Sequence, residues 1–265
     1  MLGLFKSAWA YRHFIVSSIR AEFAARFARS RFGGLWMVAH PLAQSVIYAV
    51  VLSEVMAAKL PGATGDKHAY AIYLMSGMLG WSLFAELVSR CLSLFIDNGN
   101  LLKKIVFPRI CLPLITAGSA LLSNLILLLA MLAVFLALGH RPGLAAGWIV
   151  PLTLLTLVLG LGLGLLLGIL NVFLRDIGQV VPVVLQLGFW LTPIVYLPST
   201  LPESLQSALS LNPLAVLVKG YQDGLLFGKA PDALPLLMIA GGATALLALA
   251  LLTFRRAGPE MVDVL

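Results

Sequence analysis

Residues 147–173 read GWIVPLTLLTLVLGLGLGLLLGILNVF, without one charged side chain. About 20 apolar residues in a helix cross a hydrocarbon core of about 30 Å, so this run is long enough to span a bilayer. In water it would need protein cover on every side. The rest of the chain has little polar surface to offer: 60% of the 265 residues are hydrophobic and 11% charged, at a mean hydropathy of +1.00. A soluble domain carries about 25% charged residues. This composition excludes an ordinary water-soluble fold and specifies an integral membrane protein.

Apolar runs at 36–57, 70–92, 110–138, 180–196 and 234–254 join 147–173. Together they predict an all-α integral membrane protein with six transmembrane helices. The run at 180–196 is the shortest and contains Pro182 and Pro193, which predict a kink or break. Ahead of the first span, Val16, Ile19, Phe23 and Phe27 recur at steps of three and four among arginines, the pattern of a basic amphipathic helix at the membrane interface. No apolar core or cleavage site marks it as a signal peptide. The chain divides into an interfacial helix (1–35), a six-span bundle (36–254) and a tail (255–265). Between spans five and six, 197–233 predicts short outer helices. Asn212 is placed to cap one, with Pro213 at its first position and Gly228 as its stop, and another is expected after Pro202.

The cations give the orientation. Of the 18 Lys and Arg, thirteen fall on the side of the N-terminal segment, among them Arg90, Lys103, Lys104, Arg109, Arg175, Arg255 and Arg256. Lys59, Lys67, Arg141, Lys219 and Lys229 fall on the other. The positive-inside rule then puts both termini in the cytoplasm. The net charge of +7 is used on topology and anionic lipid; a nucleic-acid partner would need a soluble basic face, which the chain lacks.

Between spans two and three, Asn100 can cap a short helix that Pro108 ends. The segment is either a solvated loop with topology-setting lysines or a coupling helix presented to a cytoplasmic motor. Gly160, Gly164 and Gly168 recur every fourth residue and predict close helix packing, not a nucleotide loop. Leu174-Arg175-Asp176 reads as an ion pair at a helix end, or as part of an inner channel mouth. Glu54 and Glu86 lie within apolar runs, where acids face protein or water; Arg90, one turn on, is the natural partner of Glu86. Trp81, Phe189 and Trp190 sit deeper than the other aromatics and are candidates to line a conduit, since sugar faces stack on rings. Cys91 and Cys111 read as free thiols. Residues 224–230, GLLFGKA, lack the spacing and hydroxyl of an ATP-binding loop, so any ATP must bind another chain. No metal cluster, catalytic set or paired carboxylates appear in the sequence, and the four histidines are scattered.

Residues 20–36 (RAEFAARFARSRFGGLW) and His40-Pro41-Leu42 resemble the approach to span one in ABC-type polysaccharide and O-antigen export permeases. Asn100-Leu101-Leu102-Lys103-Lys104, Phe107-Pro108-Arg109, Leu112-Pro113, Arg175-Asp176, residues 189–196 (FWLTPIVY) and Leu211-Asn212-Pro213-Leu214 fall where that family has similar strings. Phe32-Gly33-Gly34 departs from the shorter turn expected there. The resemblance implies a transport permease in the inner membrane that is not itself an enzyme. It would form a homodimer joined to two copies of a cytoplasmic ABC ATPase, which would hold Mg-ATP; this chain would bind no cofactor. The cargo would be polysaccharide on a polyprenyl diphosphate lipid, with a capsule or teichoic-acid exporter as the neighbouring alternative and a small-lipid or drug permease further off. A secondary transporter would need charged midplane residues and an inverted repeat, and neither is apparent. The coupling helix that the resemblance implies would present Asn100, Lys103, Lys104, Phe107 and Arg109 to the ATPase, while Trp81, Phe189, Trp190 and Tyr196 are either interface anchors or, by their stacking faces, conduit lining. Arg175 and Asp176 would stand at the inner mouth, and the outer helices would act as gates. Arg26, Arg29 and Arg31 either set topology alone or also receive the lipid diphosphate, whose two oxygens suit a planar guanidinium.

Overall fold

The computed structural model describes residues 9–27, 39, 42–44, 47, 68–104 and 108–264. The predicted first span lies outside these residues except at isolated positions. The helices are α1 (Arg12–Phe27), α2 (Ala69–Asp97), α3 (Gly99–Lys104), α4 (Cys111–Ala137), α5 (Ile149–Phe173), α6 (Ile177–Leu191), α7 (Glu203–Ser210), α8 (Pro213–Gln222) and α9 (Ala233–Val264). No strand occurs among the described residues.

Among the described residues, four stretches are long and apolar enough to cross a membrane: α2, α4, Leu144–Phe173 and Ala233–Gly258. The third is α5 extended backwards by a 3-10 turn, Leu144–Trp148. On α4 the exposed leucines Leu121, Leu125 and Leu129 form a row at every fourth residue. Water would penalise such a row and a bilayer does not. The chain is a multi-pass membrane protein.

The glycines of 147–173 place α5 at the centre. A Cβ on Gly160 would meet Leu87 at 3.0 Å, and one on Gly164 would meet Cys91 at 2.8 Å, both on α2. Gly162 faces the other way: a Cβ on it would stand 2.9 Å from the backbone nitrogen of Leu247 on α9. Close backbone approach is what replaces the hydrophobic effect between helices in lipid. The predicted packing stripe is therefore present, and the extra glycine serves a second interface.

Two apolar cores stack along the bundle. One, near the α3 end, joins Leu87, Phe95, Leu165 and Phe254, with Phe95 and Phe254 stacked at 5.3 Å between ring centroids. The other joins Tyr70, Leu74, Trp81, Leu152, Val218 and Tyr221. There Gly80 lies under the Tyr221 ring, 2.6 Å from its nearest carbon to an added Cβ, so α8 seats on α2. Across the bundle, the Asn124 side chain donates to the Leu79 carbonyl at 3.0 Å and ties α4 to α2.

Some boundaries differ from expectation. The predicted fifth span, 180–196, is helical only as Ile177–Leu191. Its 15 residues reach about 22 Å at 1.5 Å per residue, short of a full crossing. Pro193 forces Thr192 into an extended conformation (φ −104°, ψ 133°) and ends the helix. The turn that follows is held by hydroxyls from α2: Tyr70 donates to the Val195 carbonyl at 2.7 Å, and Tyr73 reaches those of Pro193 and Tyr196 at 3.2 Å. Tyr196 is thus in a turn rather than in a span. The expected tail, 255–265, is helical as far as Val264 as a continuation of α9, with Met261 buried in the same core as Phe254.

The signals at Asn212 and Gly228 hold, and Gly139 adds a helix stop not expected from the sequence. Gly139 (φ +82°) ends α4 in a left-handed turn, with His140 N–H donating to the Phe135 carbonyl at 2.9 Å and Gly139 N–H to that of Leu136 at 3.0 Å. Asn212 Oδ1 accepts from the Leu214 N–H at 3.0 Å and caps α8. Beyond α8 a π turn, Asp223–Phe227, closes at Gly228 (φ +62°).

Candidate functional site

At one end of the bundle lie α1, α3, Arg109, the α5–α6 turn and the C-terminal half of α9, which hold most of the described arginines. Span α2 stops here because Ser93 Oγ donates to Asp97 at 2.6 Å and Asn98 Nδ2 to the Leu94 carbonyl at 2.8 Å. After that break come the six residues of α3. Asn100 and Lys103 are exposed on it, and Lys104 closes it. Phe107 lies outside the described residues. Arg109 is only partly exposed; its guanidinium nitrogen lies 2.8 Å from where a Cβ on Gly258 of α9 would stand. So Asn100 and Lys103 are presented outward, while Arg109 lies against α9.

Span α2 is gripped at this end from two sides. The Asn171 side chain of α5 donates to the Leu92 carbonyl at 2.9 Å, and its Oδ1 faces Gly178 at the start of α6. From the other side, Arg90 donates to Glu22 of α1 and, at 3.3 Å, to Glu86. Ser119 of α4 also donates to the same Glu22 oxygen, at 3.2 Å. The expected Glu86–Arg90 pair is present; Glu22 was missed, because sequence spacing reveals i,i+4 partners but not a partner on another helix. Of the proposed diphosphate arginines, Arg26 stands in the last turn of α1, and Arg29 and Arg31 lie outside the described residues. Arg175 and Asp176 are both exposed in the α5–α6 turn and, among the described residues, do not pair with each other. The expected ion pair is absent there, and the Asp176 backbone starts α6, its carbonyl accepting from Val180 N–H at 3.0 Å.

A groove of about 450 Å³ runs between α2 and α6, lined by Gln44, Trp81, Ser89, Gln186, Phe189 and Trp190. Three of the four predicted conduit aromatics meet there. Trp81 and Phe189 are edge-to-face at 5.7 Å, and Phe189 and Trp190 at 5.6 Å. Gly188 permits the approach, since a Cβ on it would stand 3.2 Å from the Trp81 ring. Tyr196 is not among the lining residues. Gln186 was missed; its signal was a lone exposed amide inside an apolar run. Pro182 lines the same groove. Aromatic faces beside amides can stack on sugar rings and bond their hydroxyls.

At the opposite end, the π turn after α8 carries Asp223. Burial lifts its carboxyl above the usual carboxylate range, against the opposing pull of Lys219 and Lys229. The described residues contain no cluster of metal-ligating side chains, and Cys91 and Cys111 are free and buried.

A multi-pass helical bundle with glycine-packed spans and a groove lined by aromatic rings and amides suits a transport permease. The chain belongs to the ABC-2 type transporter family, which matches residues 14–226. It is 31% identical over 253 residues, 93% of each chain, to the O-antigen export system permease protein RfbA of Myxococcus xanthus. It is 30% identical over 211 residues, 78% of each chain, to the protein of the same name in Klebsiella pneumoniae. The polysialic acid transport protein KpsM of Escherichia coli is 23% identical over 224 residues, 83% of each chain.

Proposed function

We propose that this chain is the membrane-spanning subunit of an ATP-driven exporter that moves lipid-linked O-antigen polysaccharide across the inner membrane. The observation that carries the reading is the α2–α6 groove, in a chain whose relatives at 30% and 31% identity are O-antigen export permeases. An amide such as Gln186 is poorly accommodated by lipid tails but suits a hydrated sugar chain. Trp81, Phe189 and Trp190 supply stacking faces that tolerate successive sugars. A capsular polymer is the second reading, favoured by the likeness to the polysialic acid transport protein.

The subunit has six spans, the first within 36–57 and the fifth made of the short α6 together with the turn that follows it, with both termini cytoplasmic. Two copies form the conduit and bind two ATPase subunits, which hold Mg-ATP. α3 presents Asn100 and Lys103, followed by Lys104 and Phe107, to the ATPase; Arg109 keeps that connection stiff. Arg26, Arg29 and Arg31 attract the lipid diphosphate to the cytoplasmic headgroup level, each cation contributing about 1 kcal/mol toward an anionic surface. Arg175 and Asp176 stand at the inner mouth, and α7 and α8 cover the outer one.

Removal of the gene from its host should abolish surface polysaccharide and leave the lipid-linked polymer inside the cell. Restoring the unaltered chain should recover it, and Trp81→Ala in the restored chain should lower it severalfold at equal membrane level. Undiminished surface polymer after gene removal would overturn the reading.

A further inference from the structure

We infer that Arg90 is a positioning residue of the transport cycle, fastening the N-terminal helix α1 to the α3 end of span α2 so that the two move together. One guanidinium serves two carboxylates here: Glu86 on its own helix at 3.3 Å and Glu22 on α1. Glu22 is held from a third helix by Ser119 at 3.2 Å. Beside this polar joint, Ile19 of α1 fills the notch left by Gly118 of α4. The contact therefore has an apolar part, which favours docking in general, and a charged part, which fixes one register.

The α2 side of the joint is rigid. From Arg90 to Asp97 the helix is unbroken, about 10 Å at 1.5 Å per residue, and Asn98 closes it through the Leu94 carbonyl at 2.8 Å. On the face turned to α5, Gly164 and Gly168 abut Cys91 and leave no room for rotation of α2 against that span. A push on α3 is thus delivered to Arg90 rather than dissipated, and Arg90 hands it to α1. The partly exposed side chains at the joint, 20% for Arg90 and 31% for Glu22, can still separate and re-form.

The inference rests on the exporter reading, and the test separates the two. Full-length chains with Glu22→Arg, Arg90→Glu, or both, are expressed in host cells lacking their own copy. Surface polymer and membrane level are measured, and amide hydrogen exchange over 12–27 is followed on the same chains in lipid vesicles. Each single reversal brings like charges together. It should speed exchange over 12–27 about tenfold, the scale of one charged hydrogen bond, and cut export by a similar factor at wild-type membrane level. The double reversal puts one guanidinium back between two carboxylates and should return both readouts to within about twofold of wild type. Should a reversed chain fail to reach the membrane, Glu22→Gln reads the same direction with a smaller effect. Unchanged exchange in the single variants, or a double variant as loose as they are, overturns the joint. Recovered exchange without recovered export overturns its part in the cycle. If the unaltered chain exports no polymer, the functional reading fails instead, and exchange alone still judges the joint.

Discussion

Gly168 lies so close to the Cys91 carbonyl of α2 that any Cβ would meet backbone, which cannot swing aside as a side chain does. Gly241 on α9 has nothing within 4 Å of the same position. Gly168 belongs to the glycine stripe that recurs every fourth residue on α5 and Gly241 does not, and the two should behave oppositely. Gly168→Val is expected to cost about 1–3 kcal/mol through overpacking. Gly241→Ala should be neutral or stabilising by up to about 1 kcal/mol, since alanine is the better helix former. Thermal unfolding of the detergent-solubilised protein measures both, and equal midpoints would refute the packing argument. The same distinction applies to charge. Glu86 and Arg90 can be paired from their spacing, but Glu22, 68 positions from Arg90, can be found only once α1 is seen on the bundle.

At the scale of elements, punctuation residues were legible and their consequences were not. Pro193 announced a break, yet the turn after it owes its shape to the Tyr70 and Tyr73 hydroxyls of α2. Asn212 and Gly228 correctly bracketed α8 and its π turn. Within that turn, burial raises the pKa of Asp223. A group that holds its proton more tightly when folded binds more protons in the folded state, so stability falls as pH rises. The loss begins at the ordinary Asp value, about 4, and is complete once pH passes the raised folded value. Asp223→Asn should flatten that part of the stability curve, and an unaltered slope would show that the carboxyl is not the source. For α3, the exposed Asn100 and Lys103 support its proposed role as the ATPase contact. Replacing 100–107 with Gly and Ser should leave the chain in the membrane while ATP hydrolysis proceeds without export. Normal export by that chain would dismiss the role.

For the whole molecule, the α2–α6 groove lies open on a single chain, with Gln186 and Trp190 exposed on it. An amide turned toward lipid is costly, and six helices rarely enclose an aqueous path. We propose that a second copy covers this face, which would account for both. Native mass measurement of the active complex should therefore give two copies of this chain, and one copy would exclude the shared conduit. By itself the sequence determined that the protein is an α-helical membrane protein, where most of its spans run, which glycines let them approach and where several helices are capped or broken. Those properties depend on hydropathy, period and residues a few positions apart. Only the tertiary structure decided that Arg109 rests on Gly258, that Trp81 meets Phe189 beside Gln186, that Tyr196 belongs to a turn, and that Glu22 shares a guanidinium with Glu86. Each joins residues distant in the chain, and their partners are chosen by how the helices rotate and seat, which no local pattern encodes.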